Sequence, residues 1–165
     1  IRVLKLNYDC YNDRVLYNKG EVDYILNPRL IDYLEFYPDK DTSLIFRQVF
    51  VKEKRKAVFM QLYYEEESAL YMHRYKSFQP ADYTGAYNQD KRYDEYISHH
   101  AWYVQLKGQD PVRIKPKKKF ILQMMKPVSD EIGQFLKEEK PDLRSVKGLL
   151  SLIRHYDKLV TGEKE

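Results

Sequence analysis

Val112-Arg113-Ile114-Lys115-Pro116-Lys117-Lys118-Lys119-Phe120-Ile121-Leu122-Gln123-Met124-Met125 is the stretch that decides the fold, because the spacing of apolar residues changes within it. Before Pro116 apolar and polar residues alternate, as in Trp102, Val104 and Leu106 against Tyr103 and Gln105, which predicts strands joined by a turn at Lys107-Gly108-Gln109-Asp110. After Pro116 the period lengthens to that of a helix. Phe120, Ile121, Met124 and Met125 share one helical face. Val128, Ile132, Phe135 and Leu136 share a second, ended by Pro141; Val146, Leu149, Leu150, Ile153 and Tyr156 share a third, with Asp142 as its expected N-cap. An amphipathic helix must bury its stripe, so a β-rich body over 1–115 needs a helical lid over 117–160.

Working back from that switch, Ser43 to Val51, Ala57 to Tyr64 and Leu70 to Phe78 read as a three-stranded meander rich in β-branched and aromatic residues. Leu44, Phe46 and Phe50 alternate with Ile45, Val49 and Val51, so both faces carry large apolar groups. A strongly curved or barrel-like antiparallel sheet would bury both. Further back, Asn12-Asp13 and Asn18-Lys19-Gly20 supply turn residues between the β-like runs Ile1 to Leu6, Arg14 to Tyr17 and Glu21 to Leu26. Arg29 to Tyr37 reads as a short strand with Leu30, Leu34 and Phe36 on one face, the preferred reading, or as a helical turn. The expected class is α+β, an antiparallel sheet body followed by two to three helices, in a single domain over 1–165.

The 165 residues are 43% hydrophobic, enough for one core without metals or disulfides. No apolar run approaches the ~20 residues that cross a bilayer as a helix. Cys10 is the sole cysteine, which excludes an intramolecular disulfide. The chain opens at Ile1 without methionine, which suggests that a preceding segment, such as a signal peptide, has been removed. The net charge of +4 comes from 29 basic and 25 acidic residues that are mostly interspersed. Two basic clusters stand out, Lys52 to Lys56 (residues 52–56) and Arg113 to Lys119 (residues 113–119), and both fit charged turns that discourage sheet-to-sheet pairing.

Sixteen tyrosines suit a half-buried pleated surface. Four of them, Tyr83, Tyr87, Tyr93 and Tyr96, fall in the segment 79–96, which has no apolar period and reads as a long loop. With Trp102 they are the candidate partner-binding residues. No catalytic, cofactor or metal signature accompanies them. His99 and His100 are adjacent, so in an extended segment they point to opposite faces and do not chelate one ion. No CxxC, HExxH, phosphate-binding glycine loop or GxSxG elbow occurs, and no serine can be assigned a base and an orienting acid.

The order of Tyr11-Asn12-Asp13-Arg14-Val15, Val58 to Tyr64 running on to Leu70-Tyr71-Met72-His73-Arg74, Trp102 to Leu106 before a Gly-Gln-Asp turn, the helix Lys117 to Met125, and the ending Leu152 to Asp157 resembles a family of uncharacterised exported proteins of Bacteroidetes. Segment 79–96 and Cys10 have no counterpart in that pattern. The resemblance implies export through a signal peptide, hence a periplasmic or secreted location, and it implies no activity. Three functions are therefore carried forward. The first is a non-enzymatic interaction module of the cell envelope that holds a protein or glycan partner through a sheet edge or the tyrosine-rich segment. The others are a nucleic-acid binder using the two basic clusters and a hydrolase whose site assembles only in space.

Overall fold

The computed structural model describes residues 5–81 and 93–162 and has an α+β architecture of two antiparallel sheets and three C-terminal helices. The first sheet is a meander of β1 (Leu6–Asp9), β2 (Arg14–Lys19) and β3 (Val22–Ile25). Its second turn holds Gly20 at φ +72°, the left-handed conformation that the Asn18-Lys19-Gly20 signal predicts. The second sheet runs in chain order through β4 (Tyr33–Phe36), β5 (Leu44–Val51), β6 (Lys56–Glu65), β7 (Ala69–Gln79), β8 (Glu95–Gln105) and β9 (Val112–Arg113).

This sheet curls but does not close into a barrel. β5 and β8 are separated by β6 and β7, yet Val49 and Val51 share a buried cluster with Val58, Met60, Tyr71, Ala101 and Tyr103. Lys52 in the β5–β6 turn also reaches Asp110 in the β8–β9 turn. The opposite face meets the helices, α1 (Lys118–Met124), α2 (Ser129–Glu138) and α3 (Val146–Thr161). There Leu70, Val104 and Leu106 pack against Ile121, Met125, Ile132, Leu149, Leu152, Ile153 and Tyr156. The alternation around Trp102 thus separates the two cores: Trp102, Val104 and Leu106 face the helices, Ala101 and Tyr103 the inside of the curl. A third cluster joins Val15 of the small sheet to Leu34, Phe46 and Phe59 of the large one.

Several sequence expectations need correction. Leu30 does not share a face with Leu34 and Phe36: Asn27 caps a short 3-10 turn at Pro28–Leu30, which leaves Leu30 83% exposed while Leu34 is buried. Phe50 sits at the tip of its hairpin and is also exposed. The N-cap of α3 is Ser145, whose Oγ accepts from Gly148 N at 3.1 Å; Asp142 instead closes the preceding turn by accepting from Arg144 N. Of the segment 79–96, expected to be a long loop, Gln79 belongs to β7 and Glu95 and Tyr96 to β8, while 82–92 lie outside the described residues.

Where β6 and β7 part, the small sheet fills the gap. Their pairing runs from Glu65↔Ala69, through a bulge at Leu62/Tyr64, only as far as Gln61↔Met72. Beyond that point the β1–β2 turn lies between them. Lys76 N on β7 donates to Cys10 O at 2.9 Å, and Tyr8 Oη stands 3.5 Å from Phe59 O on β6. Backbone groups that the large sheet cannot pair are met by the small one.

Candidate functional site

The β7–β8 pair extends as a two-stranded ribbon past the last β6 partner, with Ser77↔Ile97, Phe78↔Tyr96 and Gln79↔Glu95 near its end. Alternation gives the ribbon two chemically different faces. On one, His73, Tyr75, Ser77 and His99 form a half-buried polar column; on the other, Phe78 and Tyr96 are exposed.

The polar column starts at the wedge. Asp13, in the left-handed conformation at φ +53°, accepts from His73 Nε2 at 2.8 Å, Tyr8 Oη at 2.9 Å and Lys56 Nζ at 2.7 Å. Burial pushes the Asp13 carboxyl up, but the hydrogen bonds from His73, Lys56 and Tyr8 outweigh it and hold the group well below the usual carboxylate range. Lys54 Nζ is 3.4 Å from the other ring nitrogen of His73. An ammonium only donates, so Nδ1 accepts and the Nε2 hydrogen goes to Asp13. Burial, with Lys56 and Arg113 nearby and Asp13 opposing, lowers the Lys54 amine from its ordinary value. His73 then stacks on Tyr75, ring centroids 5.3 Å apart, and Tyr75 on His99 at 5.1 Å. His99 Nε2 lies 2.8 Å from Ser77 Oγ.

These contacts resemble parts of a hydrolytic triad, but the parts sit on different histidines. The acid holds His73 and the hydroxyl holds His99, with the Tyr75 ring between them. Among the described residues no carboxylate hydrogen-bonds to His99, and the second ring nitrogen of His73 faces the Lys54 ammonium and not a hydroxyl. No group of three or more His, Cys, Asp or Glu among them is arranged to hold a metal. What the column does is tie the β1–β2 turn, wedged between β6 and β7, to the β7–β8 ribbon.

The opposite face is aromatic. Tyr96 meets Tyr11 edge-on at 5.1 Å and Phe78 at 5.4 Å, and these rings are 55%, 46% and 43% exposed respectively. β9 pairs only with Tyr103 and Val104, so from Glu95 to Ala101 the outer edge of β8 has no strand partner among the described residues. Two solvent-facing rings therefore lie on a ribbon with a free edge, and Tyr11 of the β1–β2 turn packs against one of them.

Of the residues singled out in the sequence, Tyr96 lies in this patch as a strand residue, and Tyr93 is 80% exposed just ahead of β8. Tyr83 and Tyr87 lie outside the described residues. Trp102 is not part of this patch: half-buried, it packs against the helical core and edge-on to Tyr63 at 5.0 Å. Tyr11 and Phe78 were not singled out, since nothing in their local sequence shows that a hairpin turn and a distant strand end converge.

Several residues of the basic clusters are engaged within the molecule. Lys52 pairs with Asp110, Lys56 with Asp13, Lys54 lies over the Tyr75 ring at 5.3 Å, and Lys115 over Phe120 at 5.7 Å. Comparison with protein-family models, with curated proteins and with solved structures gives no match. No helix among the described residues is long and apolar enough to cross a membrane.

Proposed function

We propose that the protein is a non-enzymatic binding module of the cell envelope that takes up an extended segment of a partner protein along the free edge of β8. One observation carries this reading: the edge of β8 from Glu95 to Ala101, without a strand partner among the described residues, lies on the ribbon whose outer face presents Phe78 and Tyr96, with Tyr11 of the β1–β2 turn against Tyr96. An added strand gains affinity from backbone hydrogen bonds, while side-chain contacts select its sequence. Exposed aromatic rings give contact area at low entropic cost, and a partner strand would satisfy an edge that otherwise invites self-association. With an exported origin, the expectation that its sequence pattern raises, this binding would take place in the periplasm or outside the cell.

Selection from a displayed library of random peptides tests the reading. The wild-type chain should enrich β-prone, apolar peptides, and the triple variant Tyr11→Ala, Phe78→Ala, Tyr96→Ala, with folding checked by circular dichroism, should not. Enrichment that is identical for both, or absent with the wild type, sinks the proposal.

A further inference from the structure

On the far side of the molecule from the ribbon's tip, a cleft of about 420 Å³ opens between the β6–β7 turn and the last turns of α3. Tyr64, Glu66 and Glu67 form one wall. Arg154, Asp157, Lys158 and Thr161, spaced to share one helical face, form the other. Tyr64 and Asp157 are the two buried members and make up its floor.

Hydrogen-bond donors on that floor fall short of acceptors. Asp157 Oδ2 accepts from Ser68 N at 3.1 Å and lies 3.0 Å from Tyr64 Oη, while the same hydroxyl lies 2.9 Å from Glu66 Oε2. A phenol has one hydrogen and serves one of these two carboxylates at a time. Asp157 Oδ1 is buried with no protein partner among the described residues; the neighbouring Ser68 Oγ is unpartnered too, but as a hydroxyl it brings one hydrogen of its own against the several carboxylate lone pairs. Asp157 as a whole is only 4% exposed, and a buried carboxylate oxygen without a donor is costly. Glu67 is already matched by Lys107 at 2.7 Å. The deficit therefore centres on Glu66 and Asp157, in a cleft whose size suits a small organic molecule.

We infer that this cleft binds a primary ammonium group, held by Asp157 and Glu66, with the Arg154 guanidinium placed to meet a carboxylate on the same molecule. An ammonium carries three hydrogens and no acceptor, so it supplies what the floor lacks. Arg154 lies over the Tyr64 ring, 5.7 Å from its centroid, at the edge of the same cleft. A small amino-acid zwitterion presents both groups. This site is independent of the β8 edge.

The test is a titration of the isotopically labelled chain with ethylammonium, glycine and acetate, followed by amide chemical shifts. Ethylammonium and glycine should shift Ser68 and Asp157 saturably, glycine at the lower concentration, and acetate should not. Asp157→Asn should weaken ethylammonium binding about tenfold or more. Glu66→Gln, at an exposed position, provides a second variant should Asp157→Asn fail to fold, and it should weaken binding in the same direction. Arg154→Gln should leave ethylammonium unchanged while removing the advantage of glycine. The inference is overturned if ethylammonium gives no saturable shift, if acetate does as well, or if a folded carboxamide variant binds as the wild type does.

Discussion

The Asp13 carboxylate in the β1–β2 turn and the fully buried ring of His73 on β7 meet at 2.8 Å across 60 positions of sequence. Asp13 also receives Lys56 and Tyr8, so one side chain ties the small sheet to both strands that border the gap in the large one. Replacing it by alanine leaves a buried imidazole and a phenol without their acceptor. Asp13→Ala should cost about 2–4 kcal/mol, read from urea unfolding. A loss below about 0.5 kcal/mol, the range of ordinary surface changes, would show that the wedge is not held by this group.

The same carboxylate makes stability depend on pH in a definite direction. Its folded pKa lies below the unfolded value of about 3.9, so its contribution is fully present above that value. It is lost as pH falls through the folded value. Unfolding curves between about pH 6 and pH 2 should show the wild type losing its advantage over Asp13→Asn as acid is added. Parallel curves for the two proteins would contradict the assignment.

Gly148 is fixed by the turn ahead of α3 and not by its own backbone angles. A Cβ there would stand 2.1 Å from Asp142 O, a backbone atom that cannot swing aside. Asp142 O also accepts from Ser145 N and Ser145 Oγ, so the clash falls on the cap itself. Gly148→Ala should destabilise the protein by about 2 kcal/mol or more despite alanine's better helix propensity. A neutral or higher melting temperature would refute the close approach.

Two leucines provide a paired test of the core. Leu152 is 0% exposed among α1, α2 and the sheet, whereas Leu30 is 83% exposed on its 3-10 turn. Leu152→Ala should cost about 2–5 kcal/mol. Leu30→Ala should stay within about 0.5 kcal/mol of wild type. Comparable losses at both sites would restore Leu30 to the packed face on which its sequence spacing placed it.

What the sequence shows and what it hides divide along range. Trp102 to Leu106 is legible because alternation is local, and the helices after Pro116 because a stripe every three or four residues has no other use. The cap of α3 was misread because Asp142 and Ser145 are both good capping residues, and only the bond from Gly148 N to Ser145 Oγ chooses between them. Leu30 was misplaced because Asn27-Pro28 starts a turn that apolar counting overlooks. The polar column and the aromatic patch were out of reach for a different reason. Asp13 meets His73, Ser77 meets His99, and Tyr11 meets Tyr96 only after strand registers are set and β6 and β7 have diverged. No periodicity announces a gap in a sheet.

That gap bears on the order of assembly. The first hairpin has its own turn residues and can form as soon as it is made, but the groups that anchor it lie on strands that come much later in the chain. Contacts of such long sequence separation carry the entropic cost of closing a large loop, which a hairpin does not. The N-terminal sheet can meet Leu34, Phe46 and Phe59 as those strands appear, but its polar seam is complete only once β7 supplies His73 and Lys76.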